Sequence, residues 1–528
     1  MGIAVGRGMP DIVSFDICVV GAGAGGLALA SNFLDKKLSL VVIESGALGR
    51  RPEPSETGAV SAEGLAYAPL TTSRLRGFGG STQASGWGGL CKPLDAQDFE
   101  PRPWVSDSGW PFGLDQLRQY YQRAANTLGI GDLETLAGRR EAFPGRSSVL
   151  SVDSLELCRH YRLGNHLREP FARSGGVQVM TKVTLLYLEF SEDGHSISAV
   201  VCADADGRLF RIRSRFYVLA AGGIENPRLL LVSYRRAQRA SGLVGKYFMD
   251  HPRFTIGTLT PADGDTRAVL ARLDRIRVAR RQRVASWLGL HRERRFLLQG
   301  LTLPFEVQRE RKLLNYRAWL EPRYSGQDWQ VLEKIKLAFL EHRDMKILNG
   351  QSLGWGTLAR QDIGWTKGMH LARPPVLARS FRLHHFLEPE PLRESSVSLS
   401  QEKDRFGLPL ASLSWQLADN TLNSLRRTID IIREEFQKSG IGRLDVAPEE
   451  WERLKKPMWT WHHMGTTRMH DDRSLGVVDR NSRVHGVNNL FIAGSSVFPT
   501  AGNDTPTLTI VALAHRLADY LLWIVSRS

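Results

Sequence analysis

Two adjacent histidines, His462 and His463, stand in Trp-Thr-Trp-His-His-Met-Gly-Thr-Thr-Arg-Met at 459–469. Imidazole is the natural side chain to take a proton near neutral pH. Downstream come a buried strand (Leu490–Ala493), a Gly494-Ser495 turn and a helix opening on Thr505-Pro506-Thr507. A proline near a helix start loses no needed N–H, and the free amides there can face an electron-rich ligand. One short segment therefore brings an imidazole, a glycine turn and a helix N-terminus together as one wall of an active site. A metal reading of His462, His463 and His470 has no acid or cysteine cluster behind it.

A second constellation lies near the N-terminus. Asp-Ile-Cys-Val-Val-Gly-Ala-Gly-Ala-Gly-Gly (16–26) places Gly21, Gly23 and Gly26 after a short apolar run, and Glu44 ends a second apolar run 23 residues beyond Gly21. The first glycine allows a tight turn, the second a close approach to a pyrophosphate, and the third close helix–strand packing. The acid at the strand tip accepts ribose hydroxyls. NAD(P) and FAD share this pattern, so it does not choose between them. Two further stretches let backbone pass close to a ligand. One is the loop 74–89 with Gly79, Gly80, Ser81, Trp87 and Gly88, where a tryptophan among glycines argues against a mere linker. The other is the strand and Gly-Gly turn of Phe216–Leu231, with Ala221 and Gly222 at the turn.

The elements that position these residues follow from hydrophobic period. Ile17–Val20 and Leu38–Ile43 read as buried parallel strands, with a helix over Leu27–Lys36 between them. A helix is predicted over Asp115–Leu128, a strand over Val177–Phe190, and a hairpin from Ile197–Ala203 and Leu209–Arg213. Between 253 and 450 the order changes. Strand-like runs (Phe254–Leu259, Val397–Leu399, Leu410–Trp415) and helical stretches (Asp328–Glu341, Asn420–Gln437) no longer alternate, which predicts a separate domain built on an antiparallel sheet. The expected fold class is α/β, a discontinuous Rossmann-like domain with an inserted α+β substrate domain. Its pieces are 10–100, 165–252 and 451–528 for the first domain, and 253–450 with contributions from 101–164 for the second.

The chain of 528 residues is 42% hydrophobic and 24% charged, an ordinary globular balance with room for two domains or more. No run of eighteen apolar residues predicts a spanning helix, and the first sixteen residues lack an apolar signal core. Four scattered cysteines (Cys18, Cys91, Cys158, Cys202) suit a reducing compartment, so a cytoplasmic location is expected, peripheral to a membrane at most. Net charge is +15, and nine arginines fall within Ala271–Arg295. That segment reads as a solvated face or exposed lid, or else as a weak contact with an anionic membrane surface or acidic partner. No nucleic-acid partner is expected.

With these motifs in hand, the chain resembles the glucose–methanol–choline (GMC) family of FAD-dependent oxidoreductases. The pieces that carry the likeness are Gly21–Gly26 with Glu44, the Gly79–Gly89 loop, Val218–Leu231, Gly242–Pro252, His462–Met469 and Val484–Leu513. The Gly-Gly-Ile-Glu-Asn-Pro-Arg and His-His-Met-Gly-Thr-Thr-Arg-Met blocks are similar to the branch holding pyranose oxidase and the fructose and gluconate dehydrogenases. The resemblance implies FAD, contacted by the glycines named above with Glu44, Val183, Ala221, Ser495, Pro506 and Thr507. It implies hydride transfer from a sugar, sugar derivative or other alcohol to flavin N5, with His462, three residues before Gly465, as base. Oxygen, a quinone or a carrier would be the electron acceptor. Relatives carry Asn or His directly before the Pro of Pro-Thr-Leu-Thr, where this chain has Thr505. Thr505 is therefore expected as the second catalytic group, with Asn503 next. No histidine lies in 74–89, so FAD is expected to be non-covalent. The alternative is a flavin-binding protein without alcohol oxidation, acting through its basic segment.

Overall fold

The computed structural model describes residues 2–49, 70–84, 89–131, 147–160, 162–278, 297–324 and 373–527, with short pieces at 53–54, 59–61, 64–67, 133, 141–143, 281 and 284. The helix expected over Asp328–Glu341, most of the arginine-rich segment, and both Trp87 and Gly88 lie outside the described residues.

Two large sheets organise the molecule. The first is built on parallel strands β1 (Ile3–Val5), β2 (Ile12–Val20), β3 (Leu40–Glu44), β4 (Val177–Thr181) and β5 (Leu209–Leu219), in the spatial order β1-β4-β3-β2-β5. Leu490–Ile492 adds a parallel partner to β5, and the sheet ends on the antiparallel strands Ile197–Ala203 and Thr184–Phe190. Strands from 3–44, 177–219 and 490–492 thus share one core. All of β3 and the last four residues of β2 are buried, which is why they read as unbroken apolar runs.

The local differences from expectation have visible causes. The helix placed at Leu27–Lys36 runs from Ala24 to Ala30 (α1) and tightens into a 3₁₀ turn over Ser31–Phe33. Ser31 Oγ and Asn32 Nδ2 donate to the Ala28 carbonyl at 2.8 and 2.7 Å, so side chains bond the last turn's carbonyls. The strand expected over Val177–Phe190 breaks at Lys182, whose φ is 57°. Leu209–Arg213 and the run from Phe216 are one strand.

The second sheet is antiparallel. Its order is Gly442–Asp445, Arg253–Pro261, Ser380–Leu387, Tyr316–Arg323, Leu297–Thr302, Ser147–Leu157 and Leu90–Cys91. Strand alternation gives it two unlike faces. Ala318, Leu320 and Leu383 belong to a core shared with the helix Asp419–Lys438, whose Leu425, Ile429, Ile432 and Phe436 are buried at helical spacing. The opposite face carries Arg253, Phe386, Arg317, His384 and Trp319, and Arg317 on it reaches Asp504, just before the C-terminal helix.

That C-terminal helix, Thr507–Val525, is long and apolar enough by composition to cross a membrane, although the sequence reading expected none. In the fold, 61% of its apolar window is buried, and Leu508, Val511, Leu513 and Leu517 join the core of the first sheet.

Candidate active site

The glycine turn after β2 works as its spacing implies. Gly21 has φ 106°, and a Cβ there would meet the Ala220 carbonyl at 2.7 Å. A Cβ on Gly26 would lie 2.0 Å from the Gly21 carbonyl, so this glycine serves packing of α1 on the strand. Gly23, at the N-cap of α1, faces open space. So do Gly222 and Gly494, which sit at two other strand ends. These turns wall a cavity enclosing about 1660 Å³ of empty space, its open mouth included. Gly80, Ser81, Val183, Ala221, Ser495, Pro506 and Thr507 line it as well. Gly79 does not line it; a Cβ on Gly79 would strike Gly164, so it serves packing of the loop.

Glu44 closes one end of the cavity. Its carboxylate accepts the backbone N–H groups of Ala22 (2.9 Å), Gly46 (2.8 Å) and Gly77 (2.9 Å), and burial outweighs these bonds to push its pKa up. Oε2 carries only the Ala22 bond among the described residues, which leaves a lone pair toward the cavity that Glu44 lines. At the other end Trp461 Nε1 and His463 Nε2 are buried without a partner, and both residues line the cavity. Bare glycine backbone, one carboxylate with spare acceptor capacity and two orphaned ring nitrogens fit a long cofactor with a hydroxylated middle and a polar-edged ring, as FAD is.

His462 is held by a directional network. His251 Nε2 lies 2.9 Å from the Gly502 carbonyl, which can only accept, so that nitrogen carries the proton. Burial, with His462 alongside, pushes His251 down to about 3, so its ring is neutral and its Nδ1 is an acceptor. His251 Nδ1 lies 3.0 Å from His462 Nδ1, which must therefore be the donor. In neutral His462 the lone pair is then on Nε2, which has no partner among the described residues, and His462 lines the cavity. Burial lowers His462 to about 4, with Asp250 opposing and His463 and Arg253 adding to the fall.

Asp250 shapes the backbone around this ring. It is fully buried and accepts from Thr460 Oγ1 (2.5 Å), the amides of Thr460 (3.1 Å), Trp461 (2.9 Å) and His462 (2.9 Å), and the Tyr67 hydroxyl. Ligand atoms of Asp250, His251 and His462 lie within 4.8 Å of one another, a spacing compatible with a metal. Both Asp250 oxygens and both His251 nitrogens are already committed to hydrogen bonds, so the cluster reads as a hydrogen-bonded relay.

Thr505 and Asn503 do not join His462 at the cavity wall. The Thr505 hydroxyl donates to the Leu90 carbonyl, and Asn503 Nδ2 donates to the Tyr316 carbonyl at 2.8 Å. Each ties the segment before the C-terminal helix to the second sheet. Sequence reasoning missed His251, Asp250 and Tyr67 as parts of the site. The block Met249-Asp250-His251-Pro252 was visible, yet a pairing 211 residues away in the chain has no local signal.

Comparison with known proteins agrees with this geometry. Residues 391–514 match the family model described as GMC oxidoreductase. The chain is 25% identical to paromamine 6'-oxidase of Streptomyces fradiae, over 96% of this chain and 90% of that one. It is 23% identical to 2-methyl-1,2-propanediol dehydrogenase of Mycolicibacterium austroafricanum, over 96% and 95%. Among solved structures, formate oxidase of Aspergillus oryzae, described for its FAD modification, superposes with a TM-score of 0.55 at 16% identity, covering 98% of this chain and all of the other.

Proposed function

We propose, from the premise that this chain belongs to the GMC family of FAD-dependent oxidoreductases, that it oxidises a CH–OH group of a small alcohol or sugar with His462 as proton acceptor. The observation that carries the reading is the free Nε2 lone pair of His462 at the cavity wall, fixed there by His251 and Gly502. FAD supplies an electron sink able to take the hydride of an alcohol carbon. Glu44 and the glycine turns at Gly23, Gly222 and Gly494 would hold it.

The chain's own residues do the rest. His462 Nε2 takes the hydroxyl proton as negative charge grows on the substrate oxygen. His251 keeps the lone pair on that nitrogen, and the charge of buried Asp250 stabilises the positive charge that the imidazole acquires. Asp250 also fixes the 460–462 backbone, so the base is already in place when substrate arrives. Oxygen, a quinone or a carrier then takes the electrons, and the cofactor is non-covalent, so acid precipitation should leave the flavin in the supernatant.

The test is an anaerobic visible spectrum during titration with a panel of alcohols and sugars, for the wild type and His462→Ala. One compound should bleach the oxidised-flavin bands of the wild type, and the variant should bleach roughly 10²- to 10⁴-fold more slowly. A variant bleaching at the wild-type rate would remove His462 from the role.

A further inference from the structure

The inner face of the antiparallel sheet holds more positive charge than it has partners for. In-register pairing sets Arg253, Phe386 and Arg317 in one row across three strands, with Thr255, His384 and Trp319 in the next. Most charges on or near this face are matched. Arg317 meets Asp153 at 3.0 Å and Asp504 at 2.8 Å, and Lys92 meets Asp95, Asp153 and Asp504 at 3.0–3.1 Å. Arg382 pairs with Glu450 at 2.6 Å and His384 with Glu321 at 2.9 Å.

Arg253 and Arg275 are the exceptions. Neither side chain has a hydrogen bond or ion pair among the described residues; each is held over the Trp319 ring, 5.9 and 4.1 Å from its centroid. Arg275 Nε, and Nε and Nη1 of Arg317 beside it, are buried with no acceptor. Arg275 comes from the arginine-rich segment that sequence reading placed on a solvated face. Here it is turned inward, next to an Asp274 that Arg373 grips at 2.7 and 2.9 Å. Burial, then the charges of Arg317 and Arg253, push Arg275 down to about 9. Half-buried guanidinium groups that repel one another and lack acceptors, as Arg253 and Arg275 do, favour the arrival of something anionic.

The cluster comes near His462 through Arg253. Arg253 lies two residues beyond His251, and its charge opposes protonation of His462. Arg317 grips Asp504, two residues from the Gly502 carbonyl that anchors His251. We propose that the alcohol oxidised at His462 carries an oxyanion, a carboxylate or a phosphate, that docks on Arg253 and Arg275 against the sheet face. Guanidinium forks suit both groups. The proposal rests on the reading of His462 as proton acceptor.

The experiment uses the flavin-loaded protein and matched pairs: D-gluconate against D-glucose, and glycerol 3-phosphate against glycerol. The expected result is faster anaerobic bleaching by the anionic member of one pair; which pair responds separates carboxylate from phosphate. Arg275→Gln should lower the ratio of anionic to neutral efficiency roughly 10- to 100-fold, the scale of a charge-assisted hydrogen bond. Arg275→Lys should recover part of it. Independently of turnover, inorganic phosphate or acetate should give a saturable change in tryptophan fluorescence that Arg275→Gln weakens. Neutral members bleaching the flavin as well as anionic ones, with an unchanged ratio in Arg275→Gln, would overturn the oxyanion site and leave His462 as base. Saturable anion binding lost in Arg275→Gln, with His462→Ala bleaching at the wild-type rate, would instead sink the base and keep the site.

Discussion

Replacing His251 tests the tautomer argument most directly. His251→Leu removes both the acceptor that holds the proton on His462 Nδ1 and the donor to Gly502. The residue is fully buried, so leucine fills a similar volume without opening the site to water. Without the acceptor, His462 is free to carry its proton on Nε2, where it cannot serve as base, or to rotate. A buried hydrogen bond of this kind contributes about 1–3 kcal/mol, which converts to roughly 5- to 150-fold in rate if it is needed to reach the transition state. The assay is anaerobic stopped-flow reduction of the bound flavin across substrate concentration. The limiting reduction rate should fall within that range while flavin content and the substrate dissociation constant change little. His251→Asn, whose Oδ1 can take the place of Nδ1 as acceptor, should recover a large part of the loss. Wild-type reduction by a folded, flavin-loaded His251→Leu protein would refute the relay.

Four further outcomes follow from the same geometry. His462 works only when neutral, and its folded pKa is lowered to about 4, so the limiting reduction rate should stay flat from pH 9 to about 5 and fall only below that; a break near 6.5 in the pH profile would show an unshifted base. The same depression in His251, His462, His463, His385 and His515 means that the unfolded chain binds more protons below pH 6.5. Stability should therefore drop as pH falls from 6.5 toward 4, read from urea midpoints. Thr505→Val should cost about 1 kcal/mol by losing the bond to Leu90 and leave flavin reduction within about twofold, whereas a loss near 100-fold would restore Thr505 to the chemistry. Gly23→Ala puts a methyl into open space at the cavity wall and should lower flavin content in otherwise folded protein, while Gly26→Ala drives one into the Gly21 carbonyl and should reduce soluble yield itself.

The division between what sequence showed and what it hid follows the range of the interactions. The glycine turn, Glu44 and the parallel strands β2 and β3 all lie between Ile12 and Glu44, so period and spacing suffice to place them. The same holds for the helix over Asp115–Leu128, whose boundaries come out as expected because Gly129 takes up a left-handed conformation to end it. The substitution of Thr505 for Asn or His drew attention because a linear pattern was broken there. In three dimensions its hydroxyl is turned to Leu90, and the hydrogen bond that orients the His462 ring comes from His251, within Gly242–Pro252.

Arg275 departs from the reading of its segment for a related reason. Charge counted along a chain says nothing of which residue turns inward. Arg275 does so because Asp274 beside it is held by Arg373, nearly one hundred residues later, and because Trp319 on the opposing strand offers a ring to lie over. A polar residue on a central strand contradicts a buried sheet until the face it occupies is known. Once Arg253, Arg317 and Trp319 are seen to share the face turned from the Asp419–Lys438 helix, their alternation with Phe254, Ala318 and Leu320 becomes informative. One side of the sheet is packed to hold the domain together, and the other is left charged beside the His462 ring, whose Nδ1 is tied to His251.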